Sequence, residues 1–209
     1  AFHNYPSSAE NFLLQHYDGQ PLCIMGHSFG AQAARYLAKR HPDKLKHIFF
    51  VASDLSVADT DINTFRTIIS DYGQLHDERA DKLEAILDRY TGNFDENTAA
   101  GFTLVAENPR YFSYCWHNKT RMEEALAYYI APDYMLDIAA YFDVRKSWHD
   151  VPLSGCDVPV TGIYGRHDVL ASNEKECALL KQCFTNMRYH VLEASAHNPH
   201  IEETDRVIQ

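Results

Sequence analysis

Positive charge is scarce in this sequence. Nineteen Lys and Arg stand against 29 Asp and Glu in 209 residues, a formal net charge of -10. Such a surface repels phosphate backbones and anionic lipid, so neither a nucleic-acid partner nor a membrane surface is expected. Long apolar runs are missing too. None approaches membrane-spanning length, and no signal-peptide pattern is read at the start, AFHNYPSSAENF, which opens on Ala1. Cysteines are few and unmatched: Cys23, Cys115, Cys156, Cys177 and Cys183 make an odd set, and the spacing of Cys177 and Cys183 suits no metal site. Reduced thiols and a cytoplasmic location are therefore expected. Internal repeats and low-complexity tracts are absent. The rest is ordinary for a globular chain, 45% hydrophobic and 23% charged, of a length that suits one domain with an inserted lobe.

Four short apolar runs read as buried strands: PLCIMG from Pro21, KHIFFVAS over Lys46–Ser53, VPVTGIYG over Val158–Gly165 and MRYHVLEA over Met187–Ala194. Helical segments fall between them. Ala34, Leu37 and Ala38 share one face of a helix that begins at Ala31 and is closed by Pro42, and ASNEKECALLKQCF has Ser172 as its expected N-cap. This alternation predicts an α/β fold with a mostly parallel sheet covered by helices on both faces. The middle departs from it. From Leu55 to Val151 the periodicity is helical, as in DERADKLEAILDRY, where Leu83, Ile86, Leu87 and Tyr90 keep the spacing of one helix face. KTRMEEALAYYI and DYMLDIAAYF behave alike. The expected division is therefore 1–54 and 152–209 for the two parts of the core, with 55–151 as a helical insertion.

Chemistry enters at Gly26-His27-Ser28-Phe29-Gly30, where the first strand turns into the first helix. A serine on so sharp a turn is strained and exposed, and flanking glycines avoid collisions with neighbouring backbone. The helix aims its N-terminal N–H groups at the same point. A serine hydroxyl needs a base to take its proton and a carboxylate to orient that base. Loops after neighbouring parallel strands converge in space. Asp168 follows the third strand in GIYGRHDVLAS, and His197 follows the fourth in VLEASAHNPHIEE.

The chain resembles α/β-hydrolases with a helical cap, the branch holding proline iminopeptidases, epoxide hydrolases and small esterases; GHSFGA, GRHD and AHNPHIEE carry the likeness. The resemblance implies Ser28 as nucleophile, Asp168 as acid, His197 as base and the Phe29 backbone N–H as one oxyanion donor, with Gly26 and Gly30 framing the nucleophile elbow. Relatives that open epoxides use an aspartate nucleophile, against which Ser28 argues. The second oxyanion donor belongs to a loop before the elbow. Four family strands that precede the elbow have no counterpart before Pro21, so a sheet lacking its N-terminal half is expected. The implied activity is hydrolysis of a small ester, amide or dipeptide-like substrate through an acyl-enzyme, with no cofactor. A proline iminopeptidase proper, a non-catalytic ligand-binding relative and an inactive fragment are the alternatives.

Competing residues sit nearby. His200 rivals His197, but Asn198 and Pro199 place it inside the next helix. Asp54, after the second strand, rivals Asp168 and more naturally marks the exit into the insertion. His27 and His167 read as structural. His197, His200 and Glu202 match no zinc-protease motif, so no metal is expected. The aromatics Tyr111, Phe112, Tyr114, Trp116, Tyr128, Tyr129, Tyr134, Tyr141 and Phe142 read mainly as core of the helical lobe, some lining a pocket above Ser28. Glu107, Glu123 and Glu124 are candidate amine-binding acids, against the simpler reading of solvated helix faces.

Overall fold

A computed structural model describes residues 5–129, 138–147 and 152–208. The four apolar runs are strands: β1 (Leu22–His27), β2 (Leu45–Val51), β3 (Val160–Gly165) and β4 (Met187–Leu192). They form one sheet, parallel throughout, in the order β1-β2-β3-β4. The register brings His27 beside Val51, Val51 beside Ile163 and Gly165 beside Leu192. β1 and β2 thus end level while β3 and β4 run two residues further, and the loops that leave them all open at the same end of the sheet.

Helix α1 (Tyr5–His16) precedes the sheet, α2 (Gly30–Arg40) joins β1 to β2, and α9 (Asn173–Cys183) joins β3 to β4. Right-handed crossovers between strands in sequential order put α2 and α9 on the same face. There Leu13, Ala34, Leu37, Leu180 and Cys183 pack on Ile48, Phe50, Val160 and Tyr164. After β4 come α10 (Pro199–Glu202) and α11 (Thr204–Ile208). Val207 of α11 packs against the small apolar cluster of Val51, Ile163 and Leu192. Cover on this second side is thin at β1, where Cys23 and Met25 are exposed. β1 stands at the edge of the sheet, pairing only with β2 among the described residues.

Between β2 and β3 the described residues are helical: α3 (Val57–Gln74), α4 (Arg79–Leu87), α5 (Glu96–Ala106), α6 (Tyr111–Tyr114), α7 (Lys119–Tyr129) and α8 (Ile138–Ser147). They have a core of their own, Phe65, Ile68, Tyr72, Leu83 and Val105. One local expectation needs correction, and a second holds in position only. Helix α4 ends at Leu87, so Tyr90 lies beyond it, its hydroxyl donating to Asp61 at 2.6 Å. Ser172 stands at the N-cap of α9, but its side chain makes no capping bond. Ala1, Tyr134, the boundary at Val151, Gln209 and the side chains of Tyr128 and Tyr129 lie outside the described residues. Among those described, no helix is long and apolar enough to cross a membrane, and the five cysteine thiols are unpaired.

Candidate active site

Ser28 lies between the end of β1 and the start of α2 with φ of 51°. The left-handed region costs a non-glycine residue about 1–2 kcal/mol. Hydrogen bonds to the end of β2, to the segment that follows it and to the first turn of α2 hold Ser28 there. The Ser28 N–H donates to Val51 O at 3.0 Å, while Ser28 O accepts from Ala31 N–H (3.0 Å) and Asp54 N–H (3.1 Å). Gly26 lets α2 begin this close: a Cβ there would stand 2.9 Å from Ala31 Cα and Gly30 O. The steric expectation fails for Gly30, where a Cβ would meet only Tyr5 Oη, at 4.0 Å. Chemical denaturation should therefore separate the two. Gly26→Ala is expected to lose about 2 kcal/mol or more, whereas Gly30→Ala stays within about 0.5 kcal/mol of the parent.

The three residues taken from separate strand ends meet. His197 Nε2 is 2.9 Å from Ser28 Oγ, and His197 Nδ1 is 2.8 Å from Asp168 Oδ2. The Asp168 carboxylate is wholly buried, its Oδ1 accepting from Leu170 N–H (2.9 Å) and Ala171 N–H (3.3 Å). Its turn is therefore shaped by its own side chain. Burial opposes protonation of His197 most strongly, but the Asp168 carboxylate, with a further contribution from Asp54, outweighs it and raises the imidazole above its ordinary 6.5. An imidazole held by a carboxylate at Nδ1 can present Nε2 as an acceptor to the serine hydroxyl.

The loop carrying His197 is fixed on several sides. His27 Nε2–H donates to His197 O at 2.8 Å, which assigns its tautomer; burial and the neighbouring His197 push the His27 imidazole down to about 4. His27 is structural, as expected, and it supports the site directly. From the helical insertion, Cys115 O accepts His197 N–H (3.1 Å) and Asn198 Nδ2–H (3.0 Å). Gly165 was not singled out by the sequence. A Cβ on it would stand 2.0 Å from Ala196 O and 2.4 Å from Ser195 O, so only glycine at the end of β3 lets the histidine loop approach.

The profile of the alpha/beta hydrolase fold family matches residues 1–204. The chain belongs to the α/β-hydrolase fold family. No curated protein matches the sequence. Solved structures are similar at low identity. An α/β-hydrolase fold protein from Chitinophaga pinensis is 14% identical, with 99% of this chain and 69% of that one covered at a TM-score of 0.60. A thermophilic esterase from Thermogutta terrifontis, with malate bound, is 14% identical over 99% and 69% at 0.62. A Bacillus megaterium epoxide hydrolase is 15% identical over 100% and 75% at 0.56.

Within this α/β-hydrolase the competing residues take other places. His200 lies in α10, its ring 4.7 Å from that of His27. Asp54 is buried and, pushed up by that burial to about 6, does not hold the hydrogen bond to His197; Asp168 does. His167 donates from Nε2 to Glu193 O (3.1 Å) and stacks on His117. Among the described residues no group of side chains forms a metal site. Glu107, Glu123 and Glu124 are all at least half exposed and face Arg79, Lys119 and Arg121, as solvated helix faces do. Of the aromatics, Tyr111 and Tyr114 pack on the insertion's core while Phe112 is exposed. Tyr141 of α8 meets the Phe29 ring edge-on at 5.8 Å, and Tyr5 of α1 stacks on it at 5.9 Å. Arg145, bonded to both oxygens of buried Asp61 (2.9 and 2.7 Å), has its guanidinium 5.5 Å from the same ring. The insertion thus reaches the residue after Ser28.

Proposed function

We propose that this protein is a serine hydrolase that cleaves a small ester, amide or dipeptide-like substrate through an acyl-enzyme. The observation that carries the reading is the relay Ser28–His197–Asp168, with links of 2.9 and 2.8 Å. His197 takes the Ser28 proton as Oγ attacks the carbonyl carbon. The carbonyl π electrons move to oxygen, and the Phe29 backbone N–H serves that oxyanion. His197 then gives its proton to the departing alcohol or amine as that bond breaks. Water, deprotonated by His197, attacks the acyl carbon; Ser28 recovers the proton and the acid leaves. Asp168 holds the tautomer and stabilises the imidazolium. The helical insertion acts as the cap, with Tyr141 over Phe29 shielding the site.

Simple esters are favoured over prolyl peptides, because Glu107, Glu123 and Glu124 are spent on the surface rather than gathered for a substrate amine. Hydrolysis of short-chain p-nitrophenyl esters, compared with a prolyl p-nitroanilide, tests this. Ester turnover well above that of Ser28→Ala is expected; parity with that variant, or a strong prolyl preference, contradicts the reading. The acid limb is fixed by sign. The base works only when neutral, and Asp168 raises its pKa, so kcat/KM should climb with pH through a midpoint above 6.5. A pH–rate profile with its acid midpoint below that value would contradict the assignment.

A further inference from the structure

Glu202 of α10 is a buried carboxylate whose two oxygens face two different parts of the molecule. Oε2 accepts Ala196 N–H at 2.8 Å, from the residue before His197. Oε1 accepts His117 N–H and Asn118 N–H, each at 2.7 Å, from the insertion's turn into α7. That turn returns the contact, since Cys115 O accepts His197 N–H at 3.1 Å. The bonds close a ring: Glu202 to Ala196, along the chain to His197, across to Cys115, along to His117 and back to Glu202. A carboxylate suits this place because it offers only acceptors to N–H groups on both sides.

We infer that Glu202 is a positioning residue, locking the histidine loop to the helical insertion so that His197 is held between Ser28 and Asp168. The inference rests on the hydrolase reading above. Glutamine is the informative replacement. It has nearly the same volume, but one end becomes an N–H donor, so it can accept from Ala196 or from the His117–Asn118 pair and not from both. Misplacement of a catalytic group by about 1 Å can cost on the order of 100-fold in rate.

The test compares the parent, Glu202→Gln and Glu202→Ala by ester hydrolysis across pH, with the folded fraction read by circular dichroism at the assay temperature. Glu202→Gln is expected to lose roughly 10- to 100-fold in kcat with KM little changed. Its acid limb should move to lower pH, because a loosened His197 feels Asp168 less. The downfield Nδ1–H proton resonance of His197 should broaden or shift. A folded Glu202→Gln with parental kcat, acid limb and resonance overturns the assignment. So does a loss of activity that matches the unfolded fraction alone. If Glu202→Gln does not fold, Asn198→Ala replaces it, removing the donor to Cys115 O without placing a new charge beside His197; the Asn198 side chain makes no capping bond that would be lost with it. A several-fold fall in kcat with the limb moved to lower pH supports the lock; no change overturns it. If the parent itself neither turns over esters nor carries an adduct on Ser28, the hydrolase reading has failed instead, and the resonance alone then judges Glu202.

Discussion

Replacing His197 with alanine is expected to lower kcat/KM for ester hydrolysis about 10⁴-fold or more while the protein still unfolds cooperatively. The size follows from there being one path for the Ser28 proton among the described residues. Among the hydrogen bonds of Ser28 Oγ, His197 Nε2 is the partner that can take it, at 2.9 Å. His27 and His200 lie close, yet each is lowered by burial and by the charge of His197, and the His27 Nε2–H is committed to a carbonyl. Neither is placed to substitute. Asp168→Asn should cost nearly as much, because an amide at that position no longer fixes Nδ1–H and so leaves the wrong tautomer toward Ser28. A side-by-side assay of the two variants with the parent checks both. Residual activity within tenfold of the parent in His197→Ala would mean that another base serves the site.

The second large effect lies outside the relay. Gly165→Ala would drive a Cβ to 2.0 Å from Ala196 O and 2.4 Å from Ser195 O, both backbone atoms that cannot rotate away. The loop is also tied to this turn by the His167 N–H bond to Ser195 O at 3.0 Å, so relief must come from moving the whole segment. The expected cost is on the order of 3 kcal/mol, a fall in melting temperature of roughly 6–12 °C for a chain of this size. Because Asp168 and His197 sit on the two segments forced apart, kcat/KM should fall about 100-fold even where the variant is folded. Thermal denaturation paired with the ester assay checks this. A melting temperature within about 2 °C of the parent would show that the contact relaxes cheaply.

The strands were legible because each is a short apolar run between turn residues, and the topology followed from their alternation with helices. The relay followed in turn: once the strands are parallel, the residues just after them share a rim, and Ser28, Asp168 and His197 could be chosen there over the nearby Asp54, His27 and His167. Other features left no local mark. Helix α1 carries Phe12 and Leu14 exposed beside buried Leu13, so no clean apolar stripe announces it. The need for glycine at 165 arises from backbone some thirty residues further on. Reasoning from the motif alone spread one steric argument over Gly26 and Gly30, though only Gly26 faces the start of α2. Glu202 drew attention by its closeness in sequence to two histidines. Its partners are the backbone amides of Ala196, His117 and Asn118, which a reading of side-chain types does not reveal.

The most direct measurement of the central claim is the reaction of this chain with a fluorophosphonate, followed by intact mass and peptide mapping. The relay predicts one adduct, on Ser28, formed quickly by the parent and lost in His197→Ala. An unmodified chain, an adduct on another residue, or equal labelling of His197→Ala would contradict an activated Ser28.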